Sequence, residues 1–168
     1  GVWSYLVMLC ERHADGTFRH PHEYRRNALV TFSTHDLPSF EGWRTDHDLA
    51  VKRAIGLDPG ESDEQRTDAH RLMRTLMQEC ALQQDREPDL PDVLRFLART
   101  PSRMLVVALD DILGVRDQPN VPGTTTEHPN WRRRLPDMLE DIAEDPRLRA
   151  VGDILREEGR ADDRRPAP

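Results

Sequence analysis

The chain has 168 residues, a net charge of −7 with histidine neutral, 36% hydrophobic residues and 33% charged ones. The acidic balance argues against nucleic acid as a partner, and no run approaches the ~18 apolar residues of a membrane helix. The apolar share supports a core for one domain, or for part of a larger one.

In chain order, the sequence opens on Gly1-Val2-Trp3-Ser4, with no Met and no basic n-region of a signal peptide. It passes at once into the apolar run Tyr5–Cys10, as though starting inside a larger fold. Ala28–Phe32 is a second run of this kind and Met104–Leu109 a third. Short, continuous, valine-bearing runs predict strands buried on both faces, as in parallel sheets.

Helices are expected between the second and third runs. Asp46 to Ile55 predicts a short helix stopped by Gly56. Ser62-Asp63-Glu64-Gln65 has the spacing of a capping box, and Ala69, Leu72, Met73, Leu76, Met77 and Cys80 then recur on one helical face. Asp89-Leu90-Pro91-Asp92 opens another helix, with Pro91 tolerated in the first turn; its inward side is Val93, Leu94, Leu97 and Ala98. Pro136 to Glu158 is helical in pattern with a break near Pro146, and Arg160 to Pro168 is a polar segment expected to be a disordered tail. The order strand, strand, helices, strand gives an α/β fold with a parallel sheet. Three strands cannot close a barrel, and an open sheet of three exposes its edges, so the chain is expected to be the end of a larger fold.

Cys10 and Cys80 stand in apolar surroundings and are expected to be reduced, buried thiols of a cytoplasmic protein. Lys52 is the single lysine, a bias explained by codon usage in a GC-rich genome; only Arg132-Arg133-Arg134 forms a dense basic cluster. His13, His20 and His22 share a loop with Asp15 and Glu23, but no cysteine joins them, and neither a metal site nor a cofactor is expected there. No glycine pattern for cradling phosphate is present.

The chemistry concentrates in Thr31-Phe32-Ser33-Thr34-His35-Asp36-Leu37-Pro38. An apolar strand runs straight into a His-Asp pair, and Pro38 ends further pairing. Residues at the C-terminal tips of strands line the active site of parallel α/β barrels. A carboxylate there can accept from two vicinal hydroxyls while an imidazole N–H donates to a third group. The same residues also fit a surface turn capped by Asp36, and strand context alone does not separate the two.

Val30 to Pro38 resembles the strand-seven motif shared by α-amylase-type glycosidases and the amylomaltases, and Asp36-Leu37-Pro38-Ser39-Phe40-Glu41-Gly42-Trp43 is similar to the amylomaltase version. Val107-Ala108-Leu109-Asp110-Asp111-Ile112-Leu113-Gly114 resembles strand eight of that family. Gln118 to Thr124, followed by Glu127-His128-Pro129-Asn130-Trp131-Arg132-Arg133-Arg134-Leu135, resembles its C-terminal signature loop, and Gly1 to Arg12 resembles strand six. Four segments in this order cover almost the whole chain up to about Leu135.

The resemblance to the 4-α-glucanotransferases, or amylomaltases, implies about the last three strand–helix units of a (β/α)₈ TIM barrel in residues 1–135, C-terminal helices in 136–159, and a tail in 160–168. It implies retaining transfer of α-1,4-glucan chains between maltooligosaccharides, through an aspartate nucleophile and a glutamate acid/base. Asp36 matches the family's third carboxylate, which holds the 2- and 3-hydroxyls and stabilises the transition state. His35 matches the histidine on the same sugar. The nucleophile and the acid/base belong to earlier strands in that family, so the isolated chain is expected to be inactive. An α-amylase-type hydrolase segment and a non-catalytic glucan-binding fragment are the alternatives.

Two more residues are candidates for substrate binding. Trp43 either stacks on a sugar or is a core tryptophan where a helix begins. Asn120, in a proline-flanked loop, either contacts a hydroxyl or serves a turn. Trp131 and the three arginines after it are expected to pack and pair against the barrel. Asp110 and Asp111 reach the substrate side by position, with helix capping the simpler role.

Overall fold

A computed structural model describes residues 2–160. Three strands form one parallel sheet in the order β1-β2-β3. Strand β1 (Ser4–Val7) lies beside β2 (Ala28–Thr31) in the register Ser4 to Ala28 through Val7 to Thr31. Strand β3 (Met104–Leu105) pairs Leu29 with Met104 and Val30 with Leu105. β1 and β2 are joined through two 3-10 turns, Met8–Cys10 and Pro21–Glu23. The crossover from β2 to β3 carries α1 (Phe40–Arg44), α2 (His47–Ala54), α3 (Asp63–Glu79) and α4 (Leu90–Ala98). After β3 come α5 (Leu109–Ile112), α6 (Leu139–Glu144) and α7 (Pro146–Glu157).

The helices form where the sequence provides their ends. Ser62 Oγ accepts from the Gln65 N–H at 3.2 Å while Gln65 Oε1 accepts from the Ser62 N–H at 2.8 Å, closing the box at the head of α3. Asp89 and Asp92 make the same reciprocal pair at α4, with Pro91 in the first turn. Gly56, at φ +77°, takes the left-handed conformation that follows α2. The break expected near Pro146 is real: Asp145 sits between α6 and α7 and accepts from the Arg147 N–H at 2.8 Å.

One face of the sheet is packed and the other is open. Leu6, Ala28 and Val30 point into the core, where they meet Met73, Met77, Val93 and Phe96 from α3 and α4. On the alternate residues, Tyr5 is 59% exposed and Met104 48%. Burial on both faces, expected from the apolar runs, therefore fails: the helix layer covers one side only, and the period of two sends every second side chain to the other. All three strands also end before the runs that announced them, β2 by one residue. Val7 leads into a 3-10 turn that carries Met8 into the core, and the Ala108 carbonyl already accepts from Asp111 and Ile112 as α5 begins.

The thiols need a second correction. Cys10 is exposed and Cys80 half-buried, and the two are not bonded to each other. Both runs containing them turn their last residue outward, Cys10 at the end of a 3-10 turn and Cys80 as the C-cap of α3.

Helix α7 packs back on α4. Arg95 and Arg99 of the α4 segment pair with Glu157 and Glu158. Arg160 turns its guanidinium onto the carbonyls of Ala98, Thr100 and Ser102, satisfying acceptors that the end of α4 leaves open. Residues 161–168, the rest of the expected polar tail, lie outside the described residues.

Candidate active site

The site grows from the C-terminal tip of β2. Phe32, just past the strand, is buried and meets Phe40 edge to face at 5.3 Å. Ser33 then donates its hydroxyl to the Pro38 carbonyl at 2.7 Å, and the Leu37 N–H donates to the Thr34 carbonyl at 3.2 Å. These bonds close a small loop, with His35 and Asp36 at its outer rim.

A second loop, after β3, is stitched to the first. Ser39 caps α1 by accepting from the Gly42 N–H at 3.0 Å and donates its own hydroxyl to the Val115 carbonyl at 2.6 Å. The Phe40 N–H donates to Asp111 at 2.7 Å. Gly42 lets these segments touch, since a β-carbon there would lie 2.3 Å from the Arg116 carbonyl oxygen. Asp111 is buried, and desolvation pushes its carboxyl up to about 6 despite the Phe40 bond; neighbouring Asp110 adds to the rise.

The second loop brings Asn120 onto Asp36. The Asn120 side-chain amide donates to Asp36 Oδ1 at 2.6 Å, and its backbone N–H donates to the His35 carbonyl at 3.3 Å. His35 Nε2 lies 3.3 Å from Asp36 Oδ2. Both acidic oxygens thus face a polar neighbour, while the carboxylate remains 48% exposed. Behind Asn120, Gln118 donates to the Asn120 carbonyl at 2.6 Å, and buried His128 contacts the Gln118 carbonyl at 3.3 Å. Asn130 accepts from the Val121 N–H at 2.9 Å and donates to Thr124 Oγ1 at 2.6 Å, so one side chain spans the loop. Beside the pair, a cleft of about 220 Å³ is lined by Tyr5, Thr34, His35, Val106, Asp110 and Pro119.

Three of the four expected site residues, His35, Asp36 and Asn120, therefore come together. Trp43 does not. It is 5% exposed, packed edge-on against Phe32 at 6.2 Å and His70 at 4.6 Å. Its carbonyl accepts from Arg66 at 3.0 Å. A sugar-stacking role does not fit this position; Trp43 is the core residue of the other alternative. In the histidine loop, His13 is 3.3 Å from Glu23 and His20 is 3.3 Å from Glu79. The roles of Gln118, His128 and Asn130 as builders of the Asn120 loop were not singled out in the sequence. Only the prolines flanking Asn120 and the resemblance to a signature loop marked this stretch.

The geometry sets the chain among known proteins. A family model described as 4-alpha-glucanotransferase matches residues 1–140. The chain belongs to the 4-alpha-glucanotransferase family. It is 36% identical over 147 residues to the 4-alpha-glucanotransferase of Mycobacterium tuberculosis, covering 79% of this chain and 20% of that protein. It is 30% identical over 156 residues to the Haemophilus influenzae enzyme of the same name, covering 84% of this chain and 22% of that one. The structure matches an amylomaltase from Corynebacterium glutamicum with a TM-score of 0.73 and 25% identity, over 91% of this chain and 25% of that one. An amylomaltase from Streptococcus agalactiae in complex with acarbose matches in fold, with a TM-score of 0.61 and 20% identity over 94% of this chain and 27% of that one. The chain thus spans about a fifth of the length of the relatives it matches.

Proposed function

We propose that this chain forms one wall of the catalytic centre of a retaining 4-α-glucanotransferase, and that Asp36 grips the 2- and 3-hydroxyls of the glucosyl unit at the broken bond. The convergence of Asp36, His35 and Asn120 from two separate loops at one strand tip is the observation that carries this. A carboxylate already oriented by an amide and an imidazole needs little reorganisation as a sugar ring flattens toward an oxocarbenium ion. Contacts that strengthen on flattening contribute to rate more than to ground-state binding.

On this proposal the sheet is the last three strands of a (β/α)₈ barrel, and the open face bearing Tyr5, Met104 and Val106 looks into the barrel interior. The one-sided helix layer and the fold match to amylomaltases support it. The substrates are α-1,4-glucans and maltooligosaccharides, and the setting is cytoplasmic. Family membership favours transfer to a sugar over hydrolysis.

Retaining chemistry needs a nucleophile and an acid/base roughly 5 Å apart. Asp36 supplies neither, so the 168-residue chain alone is proposed to be inactive. The test is disproportionation of maltotriose by the full-length protein that contains this segment, compared with its Asp36→Asn variant. The expected loss in kcat is on the order of a hundredfold or more with an unchanged Tm; near-normal turnover of the variant overturns the assignment.

A further inference from the structure

A larger cavity lies among the helices. It measures about 490 Å³ and opens between α1, the start of α4, α5 and α7. The volume falls within the ~300–1,000 Å³ typical of small-molecule sites. Its floor is apolar: Phe40, Leu94, Ile112 and Ile154 are each at most 8% exposed.

One ionisable side chain is set into that floor. Asp111 is 6% exposed, and its Oδ1 accepts from the Phe40 N–H at 2.7 Å. Its Oδ2 accepts from no group among the described residues, yet it is not sealed in, since the Tyr24 hydroxyl is the one enclosed side-chain atom there without a partner. The surrounding charges are committed elsewhere. On α1, Arg44 forks onto Glu41; on α7, Arg147 forks onto Asp145 and donates to the Leu113 carbonyl. Ahead of α4, Glu87 is taken by Arg74 and Asp89 by Arg86. Asp110, the neighbour on α5, is a like charge. Asp111 is thus a buried carboxylate with no cation paired to it among the described residues, an unfavourable state for a charge removed from water. It also forms part of the wall between this cavity and the cleft beside His35.

We propose that the cavity among the helices binds a small organic cation, a primary ammonium carried on an apolar body. The ammonium donates to Asp111 Oδ2, and the body lies against Phe40, Leu94, Ile112 and Ile154. An anion would be repelled by Asp111, and a neutral apolar molecule would leave that carboxylate unpaired. A bound cation keeps Asp111 ionised and so strengthens its hold on the Phe40 N–H, the bond that ties α1 to α5. The site stands apart from the glucan reaction.

The test uses the full-length protein carrying this segment, with 2-phenylethylammonium as the probe and 2-phenylethanol as its neutral match. In calorimetric titrations at pH 7.5, the ammonium is expected to bind about ten- to a hundredfold more tightly than the alcohol, the difference made by a hydrogen bond to a charged group. Asp111→Asn is expected to abolish that preference, with a thermal melt showing the variant folded. Lowering the pH to 5 is expected to erode it, because Asp111, whose pKa is about 6, then carries a proton. Ala150→Phe, which places a ring at the α7 wall of the cavity, is expected to weaken both probes. Saturating maltoheptaose is expected to leave the ammonium affinity unchanged. An ammonium that does not bind, that binds no better than the alcohol, that keeps its preference in Asp111→Asn, or that maltoheptaose displaces overturns the site. None of these results touches the proposed function, which is tested by turnover.

Discussion

The side-chain amide of Asn120 donates to Asp36 Oδ1 at 2.6 Å, across 84 residues of sequence. The bond joins the loop after β2 to the loop after β3, and it sets which way the Asp36 carboxylate faces.

Removing that bond should act on rate before stability. Asn120→Ala in the full-length protein is expected to lower kcat about ten- to a hundredfold, since small misplacements of a reacting group are costly. Asn120→Asp should be worse, because it removes the donor and sets a second carboxylate against the first. Steady-state kcat beside a thermal melt of each variant checks this: kcat should fall in both, further in the Asp variant, while Tm holds.

Asp111 predicts a pH dependence of stability. Its folded pKa, about 6, lies above the usual carboxylate value of 3.8. A group raised in this way stabilises fully below the unfolded pKa, and the contribution is lost as pH climbs through the folded one. Between about pH 4 and 6 this residue alone should cost roughly 2–3 kcal/mol. Asp111→Asn keeps an acceptor for the Phe40 N–H and removes the ionisation. Urea melts of the two proteins should converge near pH 4, with the variant relatively more stable at pH 7.5.

Gly42→Ala should separate the two loops. A β-carbon at 2.3 Å from the Arg116 carbonyl must displace backbone, not a flexible side-chain tip. Overpacking of this kind costs about 1–3 kcal/mol. Both Tm and transfer activity should fall, whereas Gly152→Ala, whose β-carbon meets only the Arg156 guanidinium at 3.5 Å, should leave both nearly unchanged.

Arg66 is buried and forms a bidentate pair with buried Asp48, both bonds 2.8 Å, with a further bond to the Trp43 carbonyl. Arg66→Met strands a buried carboxylate and should destabilise by about 3–5 kcal/mol. The double variant with Asp48→Asn should recover a substantial part, as a chemical-denaturation cycle would show.

Legibility in the sequence followed the range of the interactions. Helices α3 and α4 were readable because capping boxes and apolar spacing are local, and Ser62-Gln65 and Asp89-Asp92 act within one turn. The loop carrying His35 and Asp36 was readable from the apolar run before it, although β2 itself stops at Thr31. Exposure of Tyr5 and Met104 was not, because it depends on how many layers of structure flank the sheet. Trp43 and Trp131 are the instructive pair: both follow a motif, yet Trp43 is buried by α3 and Trp131 is turned outward by a left-handed backbone. Neither outcome is written in the neighbouring residues. The Asn120 contact likewise depends on Asn130 bridging its own loop, a long-range fact hidden in a turn-rich stretch.

The most direct test is a cycle between side chain and substrate: transfer rates of the full-length protein and its Asp36→Asn variant, each with a normal donor and one lacking the 2-hydroxyl on the transferred glucosyl unit. Removing the hydroxyl should slow the parent by roughly ten- to a hundredfold, as for a hydrogen bond to a charged group, and slow the variant far less, because the partner is already gone. Equal, multiplying losses in parent and variant would mean that the Asp36 carboxylate does not hold that hydroxyl.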